Sequence, residues 1–135
     1  MKNAIPEEIR HVLEEILKAE QQISCGLSEP YNAFVATRNT ASAVSASGRV
    51  MLGHQAVCDA TVNVAVGNVG EHDRFIEYIS CGGTGDMYYA VLKSGVEIDK
   101  DDGGTDSLCW VITLILQKVE GNWRLVHRHN TRAKR

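Results

Sequence analysis

His127 and His129 stand at alternate positions near the end of the chain, and Tyr31 follows Glu29 and Pro30 near its start. Imidazole titrates close to neutral pH, so a pair of histidines suits acid–base work or recognition of an oxygen-bearing compound. A tyrosine hydroxyl can donate to an oxygen on which negative charge develops. We expect His129 to be the acid–base group, His127 its neighbour or a hydrogen-bond donor, and Tyr31 the donor to a developing oxyanion. Tyr89, Trp110, Ile112 and Leu114 are the expected ligand-lining residues.

Both histidines belong to a two-strand signal. Trp110 to Lys118 and Trp123 to His129 are joined through Glu120 and Gly121, which suit a two-residue turn. That turn sets Leu116 opposite Leu125, Leu114 opposite His127 and Ile112 opposite His129. Strict alternation then puts Trp110, Ile112, Leu114, Leu116, Trp123 and Leu125 on one face with both histidines, and this face is the expected core. Val111, Thr113, Ile115 and Gln117 form the other face with Arg124, Val126, Arg128 and Asn130. That mixed surface suits a subunit contact.

The elements upstream must position this hairpin. Ile5, Ile9, Val12, Leu13, Ile16 and Leu17 recur at three- and four-residue steps and predict an amphipathic helix to about Gln22, capped by Asn3 and broken at Gly26. Ser28, Glu29 and Pro30 open a second short segment through Tyr31 and Phe34. Residues 40–52 are rich in alanine and serine and predict a short strand before a turn at Gly48. Such small side chains leave volume for neighbours or for a ligand. A weaker helix is expected from Gly53 to about Val66, closed by Gly67 and Gly70. His54 opens that helix, where an exposed or capping role is expected. From Asp73 onward strand follows strand, with an acidic loop at 99–106. Helices first and an antiparallel meander afterwards read as α+β, with the helices on one face of the sheet.

At 135 residues the chain fits one domain, 1–135. Its 44% apolar content argues against disorder, and a net charge of -3 gives no nucleic-acid footprint. No run approaches the length of a membrane span, and the N-terminus lacks an apolar signal segment, so a cytoplasmic protein is expected. The four cysteines lie far apart without a C-x-x-C pair or a recognisable cysteine–histidine metal spacing; reduced, mostly buried thiols are expected. No metal or cofactor is expected. Asp99, Asp101 and Asp102 precede Gly103, but an EF-hand would put Gly103 and Trp110 at ligand positions that need oxygen-bearing side chains. The run Gly82, Gly83, Thr84, Gly85 lacks the Lys-Ser/Thr of a phosphate loop.

Four motifs, in order, carry a resemblance. They are Glu29-Pro30-Tyr31, the glycine pair Gly48 and Gly53, the strand start Gly85-Asp86 with Tyr88 and Tyr89, and the closing run Gly121, Trp123, Arg124, Val126, His127, His129. The chain resembles the SnoaL-like branch of the nuclear transport factor 2-like superfamily, the scaffold shared with ketosteroid isomerases and polyketide cyclases. The resemblance implies a cone-shaped α+β barrel, a strongly curved antiparallel sheet wrapped around N-terminal helices, with an internal pocket and a homodimer. It also implies that the isomerases' carboxylate base would fall in 43–47, where no Asp or Glu stands. Their second oxyanion donor, a protonated acid, would fall near 108–110, again without a carboxyl group. The isomerase mechanism is therefore not carried over. Two functions are expected in its place: a protein that binds, or acts on, an apolar oxygen-bearing compound, or a non-catalytic homodimeric association module. Neither nucleic acid nor membrane is an expected partner.

Overall fold

The apolar stripe forms α1 (Glu7–Ile23), with Ile9, Leu13, Ile16, Leu17 and Ile23 buried along one side. Residues 5–23, 27–37, 41–66 and 71–133 are described in this computed structural model. The expected cap Asn3, the break at Gly26, the closing glycines at 67 and 70, and Cys25 lie outside them. Glu7 and Glu8 occupy the first turn of α1, where the helix dipole favours negative charge. The short α2 (Glu29–Phe34) carries Pro30 in its first turn and buries Tyr31. Among the described residues no helix is long and apolar enough to cross a membrane.

Around Gly48, β1 (Ser42–Val44) and β2 (Val50–Leu52) make a small antiparallel hairpin. The expected helix follows as α3 (His54–Val66), packed against α1 and that hairpin. Next comes the meander β3 (Glu71–Thr84), β4 (Met87–Asp99), β5 (Thr105–Val119) and β6 (Asn122–Arg132). The turn between β5 and β6 has positive φ at both Glu120 (51°) and Gly121 (80°), the backbone that matches the twist of the flanking strands. On β4, a side chain at Gly95 would run into the Phe75 ring of β3, which lies across the glycine.

The strand order is β2-β1-β6-β5-β4-β3. An antiparallel sheet was expected throughout, but β1 runs parallel to β6, with Ala43 opposite Arg128. The direction is set just after α2, where Val35 bridges Leu125 in parallel and the Ala36 N–H donates to the Leu125 carbonyl at 2.8 Å. The sheet is curved and mixed, and it ends at β2 and β3 without closing. The architecture is α+β as expected; the closed barrel is not formed. Side chains from α1, α2 and the inner face of the sheet make the core, including Leu13, Ile16, Tyr31, Leu92, Leu114 and Leu125.

One irregularity decides the placement of the terminal side chains. Leu116 pairs with Leu125 as the turn predicts, yet Ile115 pairs with His127. Val126 is an extra residue, a β-bulge, and beyond it every β6 side chain changes face.

Candidate functional site

The bulge turns Arg128 inward. Leu114 and Ala43 flank it on the neighbouring strands, with Ala90 beyond Leu114, all three buried, and Arg128 is only 5% exposed. A guanidinium cannot lose its charge there, so it must be matched. Glu20 provides the match from α1. Arg128 Nη1 donates to Glu20 Oε2 at 2.6 Å and Nη2 donates to Oε1 at 2.8 Å, a two-pronged fork. Nη1 also donates to the Tyr31 hydroxyl at 3.4 Å, and Nε donates to Asn130 Oδ1 at 3.0 Å. These bonds use four of the five guanidinium N–H groups.

The electrostatics follow from that geometry. Burial pushes the Glu20 carboxyl up, but the Arg128 charge, its hydrogen bonds and the charge of Arg74 together hold it below the ordinary carboxylate range. Burial opposes the charge on Arg128, and Glu20 and Tyr31 more than restore it. Glu20 is thus a carboxylate and Arg128 a cation at neutral pH. The arrangement can polarise or orient an oxygen; it is poorly suited to removing a proton.

The set of residues expected to share a pocket divides between two faces. Tyr31, Trp110, Ile112 and Leu114 lie inside, with Tyr31 and Leu114 at 0% exposure and Ile112 in the core. His127, His129 and Tyr89 lie outside, which corrects the expectation that the histidines face the core. Period-two alternation fails at Val126 because an unpaired residue shifts the pattern by one. His127 is half-buried and its Nδ1 shares a 2.7 Å hydrogen bond with Ser42 Oγ. Burial, and next the charge of His129, keep the His127 imidazole below its usual value. His129 is exposed, and Tyr89 is 41% exposed. Arg128 and Asn130, expected on the subunit face, are the ones that turn inward.

Leu92 and Leu114 have no exposure, so the middle of the inner face is packed solid. The accessible end is where Glu20, Asn130 and Trp110 remain partly exposed, with the Arg132 guanidinium 5.6 Å from the Trp110 ring centre. Nearby in register with Trp110, Ser94 Oγ is buried without a hydrogen-bond partner.

Sequence reasoning missed Glu20, although a signal existed. It lies four residues after Ile16 and seven after Leu13, on the apolar stripe, where a carboxylate demands a buried partner.

No protein-family model matches the sequence, and no curated protein matches it. Solved structures do. A ketosteroid isomerase-like protein from Erwinia carotovora atroseptica superposes with a TM-score of 0.75 at 12% identity, covering 97% of this chain and 100% of that one. A nuclear transport factor 2-like superfamily protein from Salmonella enterica serovar Typhimurium gives 0.69 at 14% identity, with 93% and 91% covered. This chain has the nuclear transport factor 2-like fold. A candidate dehydratase of the nuclear transport factor 2-like family from Streptomyces avermitilis gives 0.72 at 15% identity, with 91% and 97% covered. In this chain's version of the nuclear transport factor 2-like fold, the β1 stretch where the resemblance placed the isomerase base holds Ala43, opposite a guanidinium. Asp106, the nearest acid to the second expected position, is exposed and paired with Lys100 at 3.1 Å.

Proposed function

We propose that the chain is a small-molecule pocket protein that binds, or acts on, an apolar compound bearing oxygen, at the end of the inner face where Glu20, Asn130 and Trp110 meet. The buried Arg128–Glu20–Tyr31 cluster carries this reading. A hydroxyl that accepts from a guanidinium becomes a stronger donor, so Tyr31 and Arg128 together present positive character towards a carbonyl or hydroxyl oxygen. Trp110 and Ile112 supply the apolar wall beside it, with Leu114 packed beneath. The unmatched Ser94 hydroxyl supports the same placement, since such a group is costly unless something meets it. Glu20 orients Arg128; it is not a base. The roles expected for His127 and His129 are not kept, because both face outward.

The reading includes a cytoplasmic homodimer of the SnoaL-like branch. The ordered motifs support the branch, and the partly apolar outer face of the sheet supports the dimer.

A thermal-shift screen of the wild type against sterols, aromatic polyketides and fatty acids tests the site. At least one class should raise the Tm. Tyr31→Phe, which keeps the ring and removes only the hydroxyl, should fold and lose most of that rise. A rise untouched by both Tyr31→Phe and Glu20→Gln, or no rise with any class, removes this assignment.

A further inference from the structure

Asn130 Oδ1 accepts from Arg128 Nε at 3.0 Å. A guanidinium can only donate, so the amide cannot be turned the other way round. Its Nδ2 therefore faces away from Arg128 with two N–H donors, and among the described residues neither meets an acceptor. The fifth N–H of Arg128 is in the same position. Glu20 and Tyr31 take both protons of Nη1 and one of Nη2. The remaining Nη2 proton lies alongside Nε–H in the planar group, on the side where Asn130 sits. A buried donor left in that state is costly unless something meets it.

Asn130 stands opposite Ile112, one row inside the pair Trp110 and Arg132. Residues two apart on a strand share a face at about 6.6 Å, so Arg132 stands in front of Asn130 at the open end. Arg132 is exposed, its guanidinium rests against the Trp110 ring, and among the described residues it has no carboxylate partner. Glu20, the acid at this end, spends both oxygens on Arg128 and also lies within reach of the Arg74 charge, so the open end is left positive. Glu14 and Arg10 both act on Tyr78, at the far end of the Asn130 row, and oppose each other there. We propose that Asn130, the spare N–H of Arg128 and Arg132 form a carboxylate subsite, which makes the compound an apolar carboxylic acid. This rests on the small-molecule reading above and narrows it. One carboxylate oxygen accepts from Asn130 Nδ2 and Arg128 Nη2, and the other from Arg132. The apolar part lies on Trp110 and Ile76, which flank Ser94 on the neighbouring strands and are accessible. A neutral alcohol or ester leaves the Arg132 charge unanswered and binds less well.

The test is isothermal titration calorimetry of the full chain with matched pairs, dodecanoate against methyl dodecanoate and naphthoate against methyl naphthoate, at neutral pH and low salt. In at least one pair the acid should bind about tenfold tighter than its ester, as charge-assisted hydrogen bonds require. Asn130→Asp keeps an acceptor for Arg128 Nε and exchanges the two donors for a negative oxygen, so it should fold and lose the acid's advantage. Arg132→Gln, at an exposed position, should lower the acid's affinity by about threefold, and by less as salt is raised. An acid that binds no better than its ester in both pairs overturns the subsite. So does an advantage that survives Asn130→Asp or is untouched by Arg132→Gln. If an ester or a sterol still binds, the pocket stands without the subsite; if no compound of any class binds, both fall.

Discussion

Arg128 and Glu20 are the residues on which the interior depends most. Two charges removed from water repay their desolvation only while both are present and well oriented. Arg128→Met should therefore destabilise by about 3–5 kcal/mol, measured as a shift in urea unfolding, because it strands the Glu20 carboxylate. The double change Arg128→Met with Glu20→Leu should recover most of that loss, since well-packed apolar pairs replace buried ion pairs at little cost. Acid has a defined effect on the same pair. Glu20 releases its proton more readily folded than unfolded, so its contribution is present above the unfolded carboxylate value, near 4.5, and is lost as pH falls through the lower folded value. Stability measured against pH should decline below about 4.5, and Glu20→Gln should flatten that decline. Tyr31 was legible from its place after Glu29 and Pro30. Arg128 was not, because a basic residue between two histidines reads as solvated until its face is known.

At the scale of elements, the helices and the strand pairs were written plainly in the chain. The stripe from Ile5 to Leu17 drew α1, and Glu120 with Gly121 drew the last turn and its register as far as Leu125. What alternation cannot show is a residue that takes no partner, and Val126 is such a residue. Nor could local pattern show the parallel pairing of β1, which depends on the path after α2. Removing Val126 should restore simple alternation while leaving His127 opposite Ile115 and Arg128 opposite Leu114, so the two faces are kept. We expect that deletion to cost less than breaking the ion pair, under about 3 kcal/mol by urea unfolding, with a near-ultraviolet circular dichroism spectrum like that of the wild type. A deletion variant destabilised as much as Arg128→Met would show that the bulge does more than set the register. Trp123 adds a separate tie, its indole N–H donating to Glu8 at 2.8 Å and fastening the start of α1 to the final hairpin.

For the whole molecule, the outer face is the surface without a cover. Leu52, Ser42, His127, Ile115 and Tyr89 stand side by side across five strands, with Leu52 73% exposed. If a second copy seals this row, Ile115→Glu should convert the dimer to monomer by light scattering while leaving the monomer's circular dichroism unchanged. A dimer that persists would place the contact elsewhere. The parallel ladder between β1 and β6 has a further consequence. Ser42 meets His127 across 85 positions of chain, whereas each strand of the meander meets the one just made. During synthesis the first strand must wait, unzipped, until β6 has been made. The guanidinium that organises the interior arrives on that same strand, so the centre is completed only when β6 docks.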